Sequence, residues 1–232
     1  MTEREAFLEG LAKKAGRPRH QLKDHPLVPV NDLPETTLAD KSPAELAALA
    51  KTNSEAVHVT YQTTTTKDLP AALDAFIQAK AAKTLLLPTT DAYQRFGLED
   101  WRQQVQPTPT YWVPGAGREA NLKAAASAEA AIGFADFLLA ESGTITAATT
   151  PGQGRAFHFL PTHYLAVIPA SRIVARSRQA ADWYDREIKA GRLQTSNINF
   201  ITGPSNSGDI EMVLIVGVHG PLDMTYLVVE DQ

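Results

Sequence analysis

Residues 69–87, LPAALDAFIQAKAAKTLLL, decide the fold class. Leu73, Phe76 and Ile77 recur at helical spacing, so Leu69 to Ala82 reads as a helix with those three side chains turned inward. The apolar run that follows, Thr84 to Leu87, is too short for a helix and reads as a buried strand. A helix leading at once into a wholly apolar strand is the unit of a sheet covered on both faces.

The same alternation extends in both directions. Upstream, Ala56 to Tyr61 is a strand candidate, and Ser42, Pro43 and Glu45 form the capping box that opens another helix. Downstream, Glu119 to Ile132 is an alanine-rich helix candidate, and Ala135–Leu139, Tyr164–Ile168 and Ile198–Thr202 are strand candidates. Gln179 to Lys189 reads as a helix with Ala180, Trp183, Tyr184 and Ile188 on one face, stopped by Gly191. Met212–Val216 and Met224–Val229, joined by a short Gly/Pro turn, are expected to pair as a hairpin at one side of the sheet. The expectation is an α/β domain over residues 40–232: three αβα layers around a mainly parallel sheet, with ligands gathered at the carboxyl ends of the strands.

Residues 1–39 stand apart as a helical arm and linker. Thr2 with Glu5 makes a capping box, Phe7, Leu8, Leu11 and Ala12 an apolar stripe, and Gly16 and Pro18 the stop. From Arg17 to Ala39 the chain is polar, carries four prolines and reads as an extended linker.

Composition excludes several functions. The 232 residues, 44% of them hydrophobic, exclude wholesale disorder. With 22 Lys+Arg against 26 Asp+Glu, the net charge of -4 gives no global attraction to nucleic acid or anionic membranes. There is no cysteine, so this chain forms no disulfide, thiolate nucleophile, cysteine-ligated zinc site or thiolate-held iron–sulfur cluster. No apolar run reaches the roughly 18 residues that cross a bilayer, and the charged stretch Thr2 to Lys14 does not fit a signal peptide. A cytoplasmic location is expected.

Five segments carry chemistry-bearing residues. Glu141-Ser142-Gly143-Thr144 follows an apolar strand, where a carboxylate suits acid, base or nucleophile work, or else sits solvated on a tight hairpin. Pro151-Gly152-Gln153-Gly154-Arg155 is a glycine-rich turn that delivers a guanidinium to a carboxylate or phosphate, or a turn with a surface arginine. His158 and His163, five apart with no glutamate between them, do not make a zinc motif, and His163 also fits a structural hydrogen bond. Gly203-Pro204-Ser205 leads to Asp209 and Glu211, which face the same way in an extended chain. The small residues there suit an anion cradle or an ordinary Asx-rich loop. His219 lies between Gly217 and Gly220, either as a proton-transfer or anion-binding group or as an exposed turn residue.

Taken together and in this order, these segments, with Leu160-Pro161 and Ile168-Pro169-Ala170-Ser171-Arg172-Ile173-Val174, closely resemble the LUD-domain family from about Ala56 to the end. The resemblance implies the α/β fold shared with ribose-5-phosphate isomerases and CoA transferases. It also implies a part in oxidising L-lactate to pyruvate alongside iron–sulfur partner proteins, which would hold the clusters this cysteine-free chain does not. By analogy with CoA transferases Glu141 would be a nucleophile, an analogy of fold alone. The expected site thus has Glu141 and His219 as catalytic candidates and no metal. Its ligand-binding candidates are Ser142, Gly143, Thr144, Arg155, His163, Gly203, Ser205, Asp209, Glu211, Gly217 and Gly220, around a small anion. The readings left open are a non-catalytic assembly or regulatory subunit, docking through Phe7, Leu8 and Leu11, and a stand-alone enzyme acting on a sugar phosphate or CoA ester.

Overall fold

The structure, a computed structural model, describes residues 2–19, 28–208, 214–217 and 219–232. Asp209, Glu211 and Met212 lie outside the described residues, as does part of the proposed linker, 20–27. Contacts divide the chain into two compact units, Met1–Leu33 and Pro34–Gln232.

In the first unit, helix α1 (Glu3–Lys14) starts where the side chain of Thr2 accepts from the Glu5 amide at 3.3 Å. The Glu5 carboxylate pairs with Arg19 rather than completing the expected box. A single turn of helix, α2 (Leu33–Thr36), occupies part of the stretch read as extended linker.

The second unit, which takes in all of α2 after Leu33, continues with α3 (Pro43–Ala56), whose capping box is complete: Ser42 and Glu45 satisfy each other's backbone amides. There follow β1 (Val59–Thr64), α4 (Leu69–Ala79), β2 (Leu85–Leu87), α5 (Ala92–Arg95), α6 (Glu99–Gln104), β3 (Thr110–Tyr111) and α7 (Arg118–Ala126). Next come β4 (Ala130–Phe134), β5 (Phe137–Leu139), β6 (Thr144–Ala148), β7 (His163–Pro169), β8 (Ile173–Val174) and α8 (Ser177–Lys189). The chain ends with β9 (Ile198–Ile201), β10 (Asn206–Gly208), β11 (Leu214–Val216) and β12 (Asp223–Val229).

Six strands form a parallel sheet in the order β1-β12-β7-β4-β2-β3. Successive side chains point to opposite faces, and the core divides accordingly. Leu85, Leu87, Ile132, Phe134, Leu165, Val167, Leu227 and Val229 pack with α4, α5 and α6. On the other face Leu86, Ala131, Tyr164, Ala166, Ile168, Met224, Tyr226 and Val228 pack with residues of α3 and α7 and with Leu138, Ile145 and Ile201 of a second sheet. That smaller sheet runs β8-β5-β6-β9, and among the described residues β10 pairs with β11 alone. The expected three-layer α/β architecture is present, with the second sheet as an addition to one layer.

Three expectations change. The alanine-rich segment does not run as one helix to Ile132: α7 stops at Ala126, and Ala130 to Phe134 form a wholly buried strand. Alanine's helix preference, a few tenths of a kcal/mol per residue, yields there to burial between β2 and β7. The last two strands do not form a hairpin. Six of the seven residues of β12 are buried, so it lies inside the sheet between β1 and β7, while β11 folds back on β10. The first strand also starts later than Ala56, because the capped helix α3 runs through that residue.

Candidate functional site

The glycine-rich turn is built to hold its position. The carbonyl of Gly152 accepts from the Thr89 amide at 2.9 Å, and a Cβ at Gly152 would collide with the Thr89 carbonyl. Gln153, nearly buried, clamps the end of β4: its Oε1 accepts from the Phe134 amide at 3.0 Å and its Nε2 donates to the Phe134 carbonyl at 2.8 Å. A 3₁₀ turn, Arg155–His158, starts from this anchor.

Arg155 then enters a cleft of about 580 Å³ with Arg118 of α7 and His219 at its edge, walled by Trp112, Leu122, Phe159 and Leu160. The Arg155 guanidinium lies 5.9 Å from the centre of the Phe159 ring. Among the described residues, neither Arg118 nor Arg155 has a carboxylate within ion-pair distance. Two guanidinium groups with no carboxylate partner among the described residues, set over an apolar wall, have the chemistry to receive a carboxylate or phosphate, because a charge-assisted bidentate contact is the strongest bond such a group offers.

Phe159 and His219 also border a neighbouring cleft of about 280 Å³, where Gly203, Ser205 and Gly220 meet His158 and Thr202. The amides expected to cradle an anion are used internally. Gly203 donates to the Tyr226 hydroxyl at 3.3 Å, Ser205 to the Pro221 carbonyl at 3.2 Å, and Gly217 to the Ser205 carbonyl at 2.8 Å. The Ser205 hydroxyl accepts from the His219 amide at 3.2 Å, which ties the two loops together. His158 is fully buried. Its Nδ1 lies 2.8 Å from the Tyr164 hydroxyl and its Nε2 has no partner, and burial pushes the imidazole down to about 3.

The remaining candidates sit elsewhere. Glu141 belongs to the turn between β5 and β6, where its Oε2 lies 2.6 Å from Nε of Arg176. This is a hairpin, one of the two readings open from the sequence. Asn53 of α3 donates to the carbonyls of Ala140 and Glu141, and Gly143, at φ +65°, lies so close to α3 that a Cβ would approach the Ser54 nitrogen to 2.6 Å. Ser142 donates to the Thr144 hydroxyl, which lies 2.7 Å from the Thr202 hydroxyl, so a chain of hydroxyls runs from this turn to the edge of the smaller cleft. His163 starts β7, directly opposite Asp223 of β12, with its Nδ1 2.7 Å from the Asp223 carboxylate. Lys80 lies 2.9 Å from the other oxygen of that carboxylate, which places His163 in a charge network at the amino ends of the strands.

Three residues escaped the sequence reading as site residues. Arg118 has no motif around it and is recognised only once α7 lies beside Arg155. In the sequence His158 presents itself only as a zinc-ligand candidate, and its burial depends on Phe157 and Tyr164. Asp136, two residues beyond β4, carries the one local signal that could have been read: a carboxylate between apolar strand residues. Its Oδ2 accepts from the Ala148 amide at 2.7 Å and the Tyr184 hydroxyl at 2.8 Å, yet burial holds its carboxyl above the usual carboxylate range.

The LUD domain family matches residues 47–229. Lactate utilization protein C of Geobacillus kaustophilus is 40% identical over 235 residues, covering 99% of this chain and 97% of its own length. The proteins of the same name from Shouchella clausii and Geobacillus thermodenitrificans are 38% and 37% identical, each over 99% of this chain. Among solved structures, a DUF162 family protein from Deinococcus radiodurans superposes with a TM-score of 0.60 at 19% identity, covering 82% of this chain and 99% of that one. Among the described residues no helix is long and apolar enough to cross a membrane.

Proposed function

The chain belongs to the LUD-domain family, and from that premise we propose that it serves L-lactate utilization in the cytoplasm, as a component that acts with iron–sulfur proteins in the oxidation of lactate to pyruvate. The observation that carries this reading is the convergence of Arg118 and Arg155, both without a carboxylate partner among the described residues, on one cleft beside His219. The guanidinium groups hold the substrate carboxylate, and Trp112, Leu122 and Phe159 cover its carbon skeleton. His219 takes the hydroxyl proton. The α-hydrogen and the electron pair leave through partner proteins, in keeping with the absence of any cysteine to hold a cluster in this chain. The names of the relatives support the lactate role.

Calorimetry with L-lactate and pyruvate tests the cleft. Arg118→Ala and Arg155→Ala should each weaken binding at least tenfold, and equal affinity in either folded variant would remove that residue from the site. Deletion of the gene should abolish growth on L-lactate, and unimpaired growth would remove the role.

A second reading, assembly through the arm, is favoured by one observation. Phe7 and Leu11 of α1 are 69% and 50% exposed, an apolar edge on an otherwise charged helix. Removal of residues 1–39 should release the partners in a pull-down if this helix docks them, and an intact complex would refute it.

A further inference from the structure

A second cleft opens at the carboxyl ends of β2, β4 and β7, and shares no lining residue with the one at Arg155 and His219. Its position follows from topology. β3 and β4 lie on opposite sides of β2, so the strand order reverses there. From β2 the chain passes to α5, whose Ala92 and Tyr93 pack on one face of the sheet, and from β4 it passes to β5, whose Leu138 packs on the other. Connections that leave neighbouring parallel strands toward opposite faces part at the carboxyl ends, and a crevice forms between them. Here that crevice is about 350 Å³, within the range of small-molecule sites.

Two groups in it are held in place and keep hydrogen-bonding capacity. Arg172 lies with its guanidinium carbon 5.0 Å from the Phe137 ring centre and 4.9 Å from that of Trp183, held by aromatic rings. No carboxylate of the described residues is within ion-pair distance of it. The other guanidinium groups differ: Arg192 is bound to Glu187 at 2.6 Å, and Arg95 faces Asp91 at 3.8 Å. Across the cleft, Asp136 spends one oxygen on Ala148 and Tyr184, and its Oδ1 has no hydrogen-bond partner among the described residues. The site therefore offers a fixed guanidinium and a free carboxyl oxygen on one crevice, a pairing that suits an anion and a hydroxyl on the same small molecule.

We propose that this crevice is a second ligand site, for a small hydroxylated organic anion whose carboxylate or phosphate is received by Arg172 and whose hydroxyl bonds Oδ1 of Asp136. It stands independently of the lactate reading, because none of its lining residues lines that cleft.

The test is an NMR titration of the intact chain with two matched pairs of probes: glycerol 3-phosphate against propyl phosphate, and L-malate against succinate. The hydroxylated member of one pair should bind at least tenfold more tightly than its partner. It should shift the backbone amides of Thr90, Ala135 and Trp183 and move the side-chain carboxyl carbon resonance of Asp136. The pair that responds distinguishes a phosphate ligand from a carboxylate one. Arg172→Met, which keeps an unbranched apolar chain against the two rings, should weaken that binding at least tenfold, and Arg155→Ala should leave it unchanged. Millimolar probe from both pairs leaving the cleft amides and the Asp136 carboxyl unmoved in the wild-type protein would overturn the proposal, and so would a folded Arg172→Met variant that binds like the wild type. Both results leave the Arg155 calorimetry untouched, so the two readings fail separately.

Discussion

Tyr184, near the middle of α8, donates its phenolic hydrogen to Oδ2 of Asp136 across 2.8 Å and joins that helix to the loop after β4. The Thr146 hydroxyl lies 2.8 Å from the same phenolic oxygen and, with the one phenol hydrogen already on Asp136, donates to it, so the contact is part of a small polar network in an otherwise apolar cluster. The bonds favour the ionised carboxylate, but loss of water around it favours the acid more, and the net effect raises the Asp136 pKa.

A group raised in the folded state stabilises the fold fully below its unfolded pKa, and that contribution is lost as pH rises through the folded value. Asp136→Asn keeps an oxygen acceptor for Ala148 and Tyr184 and removes the ionisation. The variant should therefore be more stable than the wild type at pH 8, with the difference closing as pH falls into the carboxylate range. Urea unfolding at pH 8 and pH 4 reads this directly. A wild-type protein that gains on the variant as pH rises would contradict it.

His158 works with the opposite sign. Its pKa is pushed down to about 3, so the folded state stays neutral while the unfolded chain takes up a proton near pH 6.5. Its contribution is complete above pH 6.5 and falls by about 1.4 kcal/mol per unit as pH drops toward the folded value. His158→Asn places an amide near Nδ1 to meet Tyr164 but leaves space where the ring's far edge was. At pH 7 it should cost roughly 1–3 kcal/mol, and between pH 6 and 4 its stability should fall less steeply than the wild type's. Parallel acid limbs in the two proteins would place the titration elsewhere.

Local signals carried much of the fold. The Ser42–Glu45 box, the inward face of Leu73, Phe76 and Ile77, and the apolar run of β7 are all written within a few consecutive residues, and the structure uses each as read. The misreadings come from long-range context. Ala130 and Ala131 carry a helix preference that sheet burial overrides, and β12 is central only because β1 and β7, far away in the chain, take both its edges. The site divides in the same way. Arg155 and His219 stand in recognisable turns, whereas Arg118 becomes relevant only through the placement of α7, and the partner of Glu141 is 35 residues further on.

Gly143 tests how the β5–β6 turn is seated. Its φ of +65° is unfavourable for any residue with a Cβ, and an added methyl would come within 2.6 Å of the Ser54 nitrogen and 2.7 Å of the Asn53 carbonyl oxygen. Gly143→Ala should destabilise the protein by about 2–4 kcal/mol, combining the left-handed backbone with the collision against α3. Denaturant unfolding measures it. A loss below about 0.5 kcal/mol, the usual range for a neutral surface change, would show that the turn is not pressed on the helix.

Glu141 and Arg176 separate a structural glutamate from a nucleophilic one. The ion pair spans 2.6 Å, and the Glu141 side chain is 40% exposed, so solvent screening limits its contribution to stability to about 0.2–1 kcal/mol. The turn itself is held by Asn53 and by Gly143 against α3, neither of which needs the carboxylate. Glu141→Gln should consequently cost less than about 1 kcal/mol, and a double-mutant cycle with Arg176→Met should give a coupling of the same small size. Because Glu141 lines neither the Arg155 cleft nor its neighbour, lactate affinity should be the same in Glu141→Gln as in the wild type. A carboxylate engaged by a guanidinium on a hairpin turn is also a poor nucleophile, so incubation with a CoA thioester should leave the mass of the wild-type protein unchanged. A covalent adduct that disappears in Glu141→Gln would make Glu141 a nucleophile and Arg176 the group that orients it.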